Sequence, residues 1–251
     1  MPRIIRTIIP RIKKSIKELG IAVSLFRAVL LPIHLVREHR AARRLTRDQR
    51  RSDFDLAYGV ETDGDFDDWT YLSDLKIPSA NWIYGSNYSG IEPERFSAIF
   101  STLNIRFEDF LFIDFGSGKG RALLMASEFP FKRVIGVEFS PELDATARHN
   151  IQSHRTPRQR CKSIDSVCMD FVHFPLPQEP SVLFFFDPCA ETVFLQVLEN
   201  IKQSLHDHPR EIYVIYVAPS RKEQLLDSAD FLLKLVRNAE HNFSVYKTTE
   251  A

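Results

Sequence analysis

The hydrophobic residues of this chain fall into short continuous runs separated by longer amphipathic stretches. The runs Phe110–Ile113 and Val134–Val137 are almost wholly apolar, which is typical of strands that helices cover on both faces. Thr192–Leu205, in contrast, places its apolar residues three or four apart, as an amphipathic helix does. Further strands are predicted at Ser166–Met169, Ser181–Phe186, Ile212–Val217, Phe231–Val236 and Phe243–Tyr246. This alternation predicts the α/β class with a doubly wound, mainly parallel sheet.

A glycine-rich turn follows the first of these strands. The strand ends at Asp114, the turn contains Gly116, Gly118 and Gly120, and the next strand ends at Glu138. Glycines let a backbone approach a ligand closely, and the amides at a helix start favour an anionic group. An acid at the end of the second strand is placed to hold ribose hydroxyls. Position 121 is arginine, so the G-x-G-x-x-G pattern of dinucleotide folds is absent.

These residues carry a resemblance to a known family. Ile113–Gly120 resembles the first motif of class I S-adenosylmethionine-dependent methyltransferases, and Glu138, Asp170 and Asp187-Pro188 follow in the order of that family's later motifs. The resemblance implies a seven-stranded, Rossmann-like sheet, S-adenosylmethionine as cofactor and S-adenosylhomocysteine as product. It also implies that the cofactor contacts Asp114, Gly116, Ser117, Gly118, Gly120, Glu138, Asp170 and Phe171. Phe171 could equally be a packing residue under the third-strand turn.

The fourth motif gives the candidate catalytic residue. By resemblance, Asp187 orients an incoming amine or hydroxyl, and possible deprotonation by it stays open. The family members that methylate bases or glutamine have two prolines and an aromatic after this position, whereas this chain has Pro188, Cys189 and Ala190. The shorter motif resembles bacterial relatives of the non-SET lysine methyltransferases, so a protein amine is the leading acceptor hypothesis. The alternative is a non-catalytic cofactor-binding or partner subunit with the same fold.

Charge divides the chain into three parts. The whole sequence has 33 basic and 33 acidic residues, but residues 1–51 contain 14 Lys or Arg and 3 acids, a net +11 that leaves −11 for the rest. We therefore predict a basic helical arm at 1–51, an acidic linker and cofactor-closing loop at 52–90, and a methyltransferase core at 91–251. One core rather than two is expected for this length.

The basic arm has three competing interpretations. Isoleucines recur at helical spacing opposite basic residues, so the arm could pack on the domain or a partner, lie on a membrane surface, or direct the chain to an organelle. Binding of nucleic acid through the same charge stays open. Arg27, Pro32 and His34 interrupt Leu19–Val36 and argue against a spanning helix.

The linker carries two further expectations. Its acids are expected to form a solvated loop that pairs with the basic arm, and the order of an EF-hand calcium loop is missing. By resemblance, Tyr84, Asn87 and Tyr88 are candidates for a lid or for substrate contacts, with simple loop packing as the alternative.

Asn150, which is frequent in the family, is expected to be a helix C-cap here.

The spacing of cysteines and histidines indicates whether a metal site or a cysteine nucleophile is expected. Cys161, Cys168 and Cys189 form no C-x-x-C pattern, and the eight histidines show no ligand spacing, so no metal site is predicted. Cys189 is not expected to be a nucleophile, since no histidine adjoins it. A cytoplasmic location is expected, with peripheral membrane association through the arm as a variant.

Overall fold

The computed structural model describes residues 52–64, 70–218 and 222–249. The predicted basic arm at 1–51 lies outside the described residues, and its role stays a prediction. Asp65, Asp67 and Asp68 of the acidic linker also lie outside them.

Seven strands and six α-helices make up the described part of the chain. The helices are α1 (Asp53–Tyr58), α2 (Pro93–Phe100), α3 (Arg121–Ala126), α4 (Pro141–Ser153), α5 (Glu191–Asp207) and α6 (Lys222–Asp227). The strands are β1 (Leu111–Phe115), β2 (Arg133–Glu138), β3 (Ile164–Cys168), β4 (Ser181–Phe186), β5 (Ile212–Val217), β6 (Leu232–Asn238) and β7 (Phe243–Thr248). Short 3-10 turns occupy Leu72–Asp74, Ala80–Tyr84, Phe107–Asp109 and Phe171–His173. Within these ranges no helix is long and apolar enough to cross a bilayer.

All seven strands belong to one sheet, with the order β3-β2-β1-β4-β5-β7-β6. Strands β1 to β5 pair in parallel, and β7 runs antiparallel to both β5 and β6. This confirms the predicted doubly wound, mainly parallel fold. The strand order reverses between β1 and β4, and loops that leave the carboxyl ends of strands at such a point diverge and open a crevice.

Two apolar layers cover the sheet because successive side chains of β1 point to opposite faces. Phe112 packs in the layer that contains Phe96 and Phe100 of α2. Ile113 packs in the opposite layer, which contains Phe194 of α5. The continuous apolar runs of the sequence are therefore explained by burial on both sides.

The acidic linker corrects one expectation. Residues 52–64 pack on the core, and Asp55 is almost wholly buried. Its carboxylate accepts hydrogen bonds from Thr62 N (2.7 Å) and Thr62 Oγ1 (2.5 Å) and lies 3.5 Å from Arg121 Nη2. Arg121 also donates to Thr62 Oγ1 at 2.6 Å and to Asp63. Thus Asp55 and Asp63 pair with Arg121, the first residue of α3, and the expected solvated loop is wrong for these two acids.

Asn150 corrects a second expectation. It is fully buried in α4. Its side chain accepts from Glu61 N at 2.9 Å and donates to Glu61 O at 2.8 Å and to Lys119 O at 2.9 Å. Instead of capping its own helix, Asn150 joins the linker to the glycine turn.

We expect Arg121→Met to destabilise the fold far more than Arg133→Met. The Arg121 side chain is 10% exposed and the substitution leaves Asp55 buried without its cation, which costs about 3–5 kcal/mol. Arg133 is 50% exposed and paired with Asp165, and surface pairs contribute about 1 kcal/mol or less. Chemical denaturation measures both, and equal losses would contradict a buried anchor at Arg121.

A buried histidine gives a pH-dependent prediction. His154 stacks on Tyr58 with ring centroids 5.3 Å apart, and neither ring nitrogen has a hydrogen-bond partner among the described residues. Burial lowers the pKa of His154. The unfolded chain therefore takes up a proton that the native state resists, and stability falls as the pH drops below about 6.5.

The variant His154→Leu isolates this effect. The difference in unfolding free energy between wild type and variant should shift toward the variant between pH 7 and pH 5, because only the wild type has the buried imidazole that resists protonation. Urea titrations at both pH values measure it. If the difference in unfolding free energy were the same at both pH values, protonation of His154 would not destabilise the native state.

Candidate active site

The glycine turn after β1 is shaped by close packing from two loops. Gly116, Gly118 and Gly120 have φ values of 83°, 53° and 85°, which strain other residues. A β-carbon at Gly116 would lie 2.7 Å from Pro188 Cβ, and one at Gly118 would overlap the ring of Tyr88. The turn therefore requires glycine for its backbone and also to admit these two neighbours.

Two buried carboxyl groups stand beside this turn. Glu138 accepts hydrogen bonds from Gly118 N and Ser140 N, both at 2.8 Å. Burial raises the pKa of Glu138 to about 7 against the effect of these amides. Burial, together with the Glu138 carboxylate, raises the pKa of Asp114 to about 8. Such a pair favours a ligand that brings positive charge and hydroxyl donors.

Asp170 lies after β3 and serves as the cap of the turn Phe171–His173. Its Oδ1 accepts from Val172 N at 3.1 Å, and its Oδ2 accepts from Ser79 Oγ at 2.6 Å and Asn81 Nδ2 at 2.7 Å. Phe171 packs edge-on against Phe115, with centroids 5.9 Å apart. Phe171 therefore packs on the core and also lines the cleft described next, while its contact with a cofactor stays a prediction.

A cleft runs along the carboxyl ends of the strands, where doubly wound folds bind their ligands. One wall is the segment 70–90, which we call the strap. The other walls come from the core and from the loop after β4. The core side contributes Gly116, Glu138, Phe139, Leu143, Asp170 and Phe171.

The strap contains the three predicted lid residues. Tyr88 is buried, and its hydroxyl donates to Thr62 O at 2.5 Å. Asn87 accepts from Leu72 N at 3.2 Å and lines the cleft. Tyr84 is half-exposed, and its carbonyl accepts from Ala190 N at 2.7 Å. All three belong to the strap, while their contacts with a ligand stay predictions.

Only half of the predicted cofactor residues line this cleft. Gly116, Glu138, Asp170 and Phe171 line it, whereas Asp114, Ser117, Gly118 and Gly120 do not. The side chain of Ser117 packs toward β2, since a β-carbon at Gly136 would lie 2.6 Å from Ser117 Oγ. That hydroxyl has no hydrogen-bond partner among the described residues.

The candidate catalytic residue stands at the end of β4. Asp187 has a φ of 40°, unusual for a residue other than glycine. Its Oδ1 accepts from Lys222 Nζ at 2.6 Å and from Tyr216 Oη at 3.1 Å. These contacts hold the side chain in place, as is common where a strained backbone persists at a functional site.

A second, wider cleft of about 580 Å³ opens beside Asp187. It shares residues 86, 87, 89 and 186 with the first cleft, so the two adjoin across the strap. Its charged lining consists of Asp63, Glu92, Arg95, Arg121 and Asp187. This polar cleft is the place where a second substrate could reach Asp187.

Cys189 fits the expectation that it is not a nucleophile. It is buried, and burial raises the pKa of its thiol to about 12. Its backbone pairs with Gly85 of the strap. No group of His, Cys, Asp and Glu in the described ranges could hold a metal ion.

Sequence reasoning missed Lys222 and Tyr216. Tyr216 lies near the end of β5, and Lys222 is the first residue of α6, which follows β5 in the chain. Strand β5 is the parallel neighbour of β4. The carboxyl ends of adjacent parallel strands meet at one edge of the sheet, so polar residues at the end of β5 were the available signal.

The cleft fits S-adenosylmethionine on its own chemistry. The cofactor carries an ammonium, a sulfonium and two ribose hydroxyls. These match the carboxyl group of Glu138, which lines the cleft, and the buried carboxyl group of Asp114, and the charge of both is unfavourable without such partners. The aromatic rings at the other end of the cleft, Phe139 and Phe171, suit a purine.

Comparison with known proteins identifies the type of domain. Residues 113–210 match the family model described as a methyltransferase domain. This part of the chain is a methyltransferase domain. A search of curated proteins finds no match.

Solved structures with a similar fold are distant from this methyltransferase. An RNA methyltransferase from Salinibacter ruber in complex with S-adenosylhomocysteine is 16% identical, with 63% of this chain and 92% of that chain covered and a TM-score of 0.41. A ribosomal protein L11 methylase from Lactobacillus delbrueckii subsp. bulgaricus is 14% identical (61% and 77% covered, TM-score 0.43). The 23S rRNA methyltransferase ErmE is 15% identical (64% and 69% covered, TM-score 0.42). Likeness at this level identifies no acceptor.

In the methyltransferase, each part of the site has a separable task. When bound, the cofactor supplies a methyl group made electrophilic by the sulfonium. We expect Glu138 to hold the ribose hydroxyls and Asp114 to hold the cationic amino acid end. The strap forms one wall of the first cleft, and Asp187 lines the second cleft.

We expect cofactor binding by the methyltransferase to release protons. Near pH 6 both Asp114 and Glu138 hold a proton, because their pKa values are raised to about 8 and about 7. A cationic ligand favours their ionised forms, so affinity for S-adenosylhomocysteine should rise between pH 6 and pH 8. Calorimetry in phosphate and in Tris measures the protons released.

The variant Glu138→Ala is the test of assignment. It should weaken binding strongly while circular dichroism stays native. Heats that do not differ between the two buffers, or unchanged affinity in Glu138→Ala, would contradict the assigned roles.

Proposed function

We propose that this methyltransferase transfers its methyl group to an amine or hydroxyl acceptor that enters the second cleft, and that a lysine side chain of a protein is the preferred acceptor. The observation that carries the proposal is the position of Asp187. Its carboxylate lines the second cleft, beside the wall shared with the cofactor cleft.

The contacts of Asp187 favour an acceptor that donates a hydrogen bond. Lys222 and Tyr216 both donate to Oδ1. A carboxylate has two oxygens that each accept about two hydrogen bonds, so Asp187 retains acceptor capacity toward the cleft. An amine N–H meets this requirement, and a hydroxyl meets it with a single donor.

The lining of the second cleft is compatible with a polar side chain as the acceptor. Its volume of about 580 Å³ lies within the range of about 300–1000 Å³ that is usual for ligand sites, so it admits a side chain as well as a small molecule. Its charges are mixed in sign, which suits a polar acceptor of low net charge.

We also propose a reducing compartment such as the cytoplasm. The three cysteines are free, and two of them are buried, which suits a compartment where thiols stay reduced. Contact of the basic arm with a membrane surface, a protein partner or nucleic acid is a further hypothesis based on its net charge of +11 (14 − 3).

The acceptor is tested with tritiated S-adenosylmethionine and separate pools of protein, RNA and small amines. We expect label in protein that is recovered as methyl-lysine after acid hydrolysis. Asp187→Asn should lower the rate about 100-fold or more with cofactor affinity kept within about threefold. Asp109→Asn, at an exposed carboxylate paired with Arg106, is the matched control.

The alternatives give distinct results. Label in RNA or small amines would contradict the lysine acceptor but keep the methyltransferase. Binding of cofactor without transfer to any pool would favour the non-catalytic partner subunit. Methyl transfer at the wild-type rate by Asp187→Asn would contradict a catalytic role for Asp187.

A further inference from the structure

The strap is fastened to the core by the side chain that the cofactor's adenine end would meet. Ser79 Oγ and Asn81 Nδ2 both donate to Asp170 Oδ2, at 2.6 Å and 2.7 Å. Asp170 and Asn81 line the cofactor cleft together with Phe139 and Leu143. We call this pair of hydrogen bonds the latch.

Further along the chain, the strap is held by backbone contacts. Ser86 N donates to Pro188 O at 3.0 Å, and Ala190 N donates to Tyr84 O at 2.7 Å. On both sides of residues 82–84 the strap lines the cleft, at Asn81, Gly85 and Ser86. A β-carbon at Gly85 would lie 2.7 Å from Leu72 Cδ1 and 3.0 Å from Phe139 Cζ, so the strap packs tightly against the residue that follows Glu138.

Counting acceptor positions shows that the latch and a bound ligand are compatible. Each carboxylate oxygen accepts about two hydrogen bonds. Oδ2 of Asp170 takes both latch bonds, whereas Oδ1 takes only the bond from Val172 N among the described residues. Oδ1 therefore has capacity for one more donor, such as an exocyclic amine, while the latch remains closed.

We propose that Ser79 and Asn81 are cofactor-retaining residues that act through Asp170, and that the latch slows release of S-adenosylmethionine and S-adenosylhomocysteine. They position the carboxylate and keep the strap over the cleft. The proposal concerns the cofactor alone and is independent of the acceptor.

The chain offers a direct reporter of the strap. Trp82 lies within the strap and is 42% exposed, and Trp69 is the other tryptophan among the two in the chain. In a Trp69→Phe background, fluorescence of Trp82 reports the strap. Chasing tritiated S-adenosylmethionine with unlabelled S-adenosylhomocysteine gives the dissociation rate separately.

Ser79→Ala and Asn81→Ala should each raise the dissociation rate about tenfold or more, as expected for loss of a hydrogen bond to a charged group. Ser79→Thr, which keeps the hydroxyl, should restore slow release. In an Asp170→Ala background neither substitution should add to the effect, because the latch has already lost its acceptor. Both residues are only partly buried, so native circular dichroism is expected.

The controls are Ser101→Ala and Asn104→Ala. Both positions are exposed and follow α2 in the sequence, whereas the strap precedes it. They should leave the dissociation rate unchanged. Unchanged rates in the latch variants would overturn the proposal. Tighter binding would overturn it too, since the latch would then compete with the cofactor. Effects that add fully to Asp170→Ala would show that Ser79 and Asn81 do not act through this carboxylate.

Discussion

The active site depends on the crowding of the glycine turn after β1. Pro188 approaches Gly116, and Tyr88 lies against Gly118, at distances that no β-carbon would permit. The first contact brings the loop with Asp187 to the turn, and the second brings the strap. A turn of three glycines thus joins the cofactor cleft, the acceptor side and the strap in one packed arrangement.

Charge is distributed around this turn in two different ways. On the linker side, Asp55 and Asp63 are paired with Arg121, so that segment is anchored within the protein. On the cleft side, Asp114 and Glu138 are buried with raised pKa values. The anchored pairs stabilise the fold, whereas the second pair is suited to a cationic ligand. Raised pKa values beside a cleft are a recurrent property of functional sites.

The sequence was sufficient for the sheet because β1, β2, β4 and β5 are continuous apolar runs that only burial on both faces explains. The turn and the acids at the strand ends could also be located, because their spacing along the chain is local. The partners of Arg121 and Asn150 could not, since they lie about 60 to 90 positions away and periodicity carries no information about them. The role of Ser79 and Asn81 could not be predicted for the same reason. Lys222 contacts Asp187 only because β4 pairs with β5.

We expect the cleft beside the glycine turn to bind S-adenosylmethionine through the carboxyl groups at the strand ends. A crystal structure of the full chain with S-adenosylhomocysteine would test this expectation. It should show ribose hydroxyls within hydrogen-bonding distance of Glu138 and the adenine beside Asp170, under a latched strap. A ligand bound elsewhere, or one in this cleft without contact to Glu138, would contradict it.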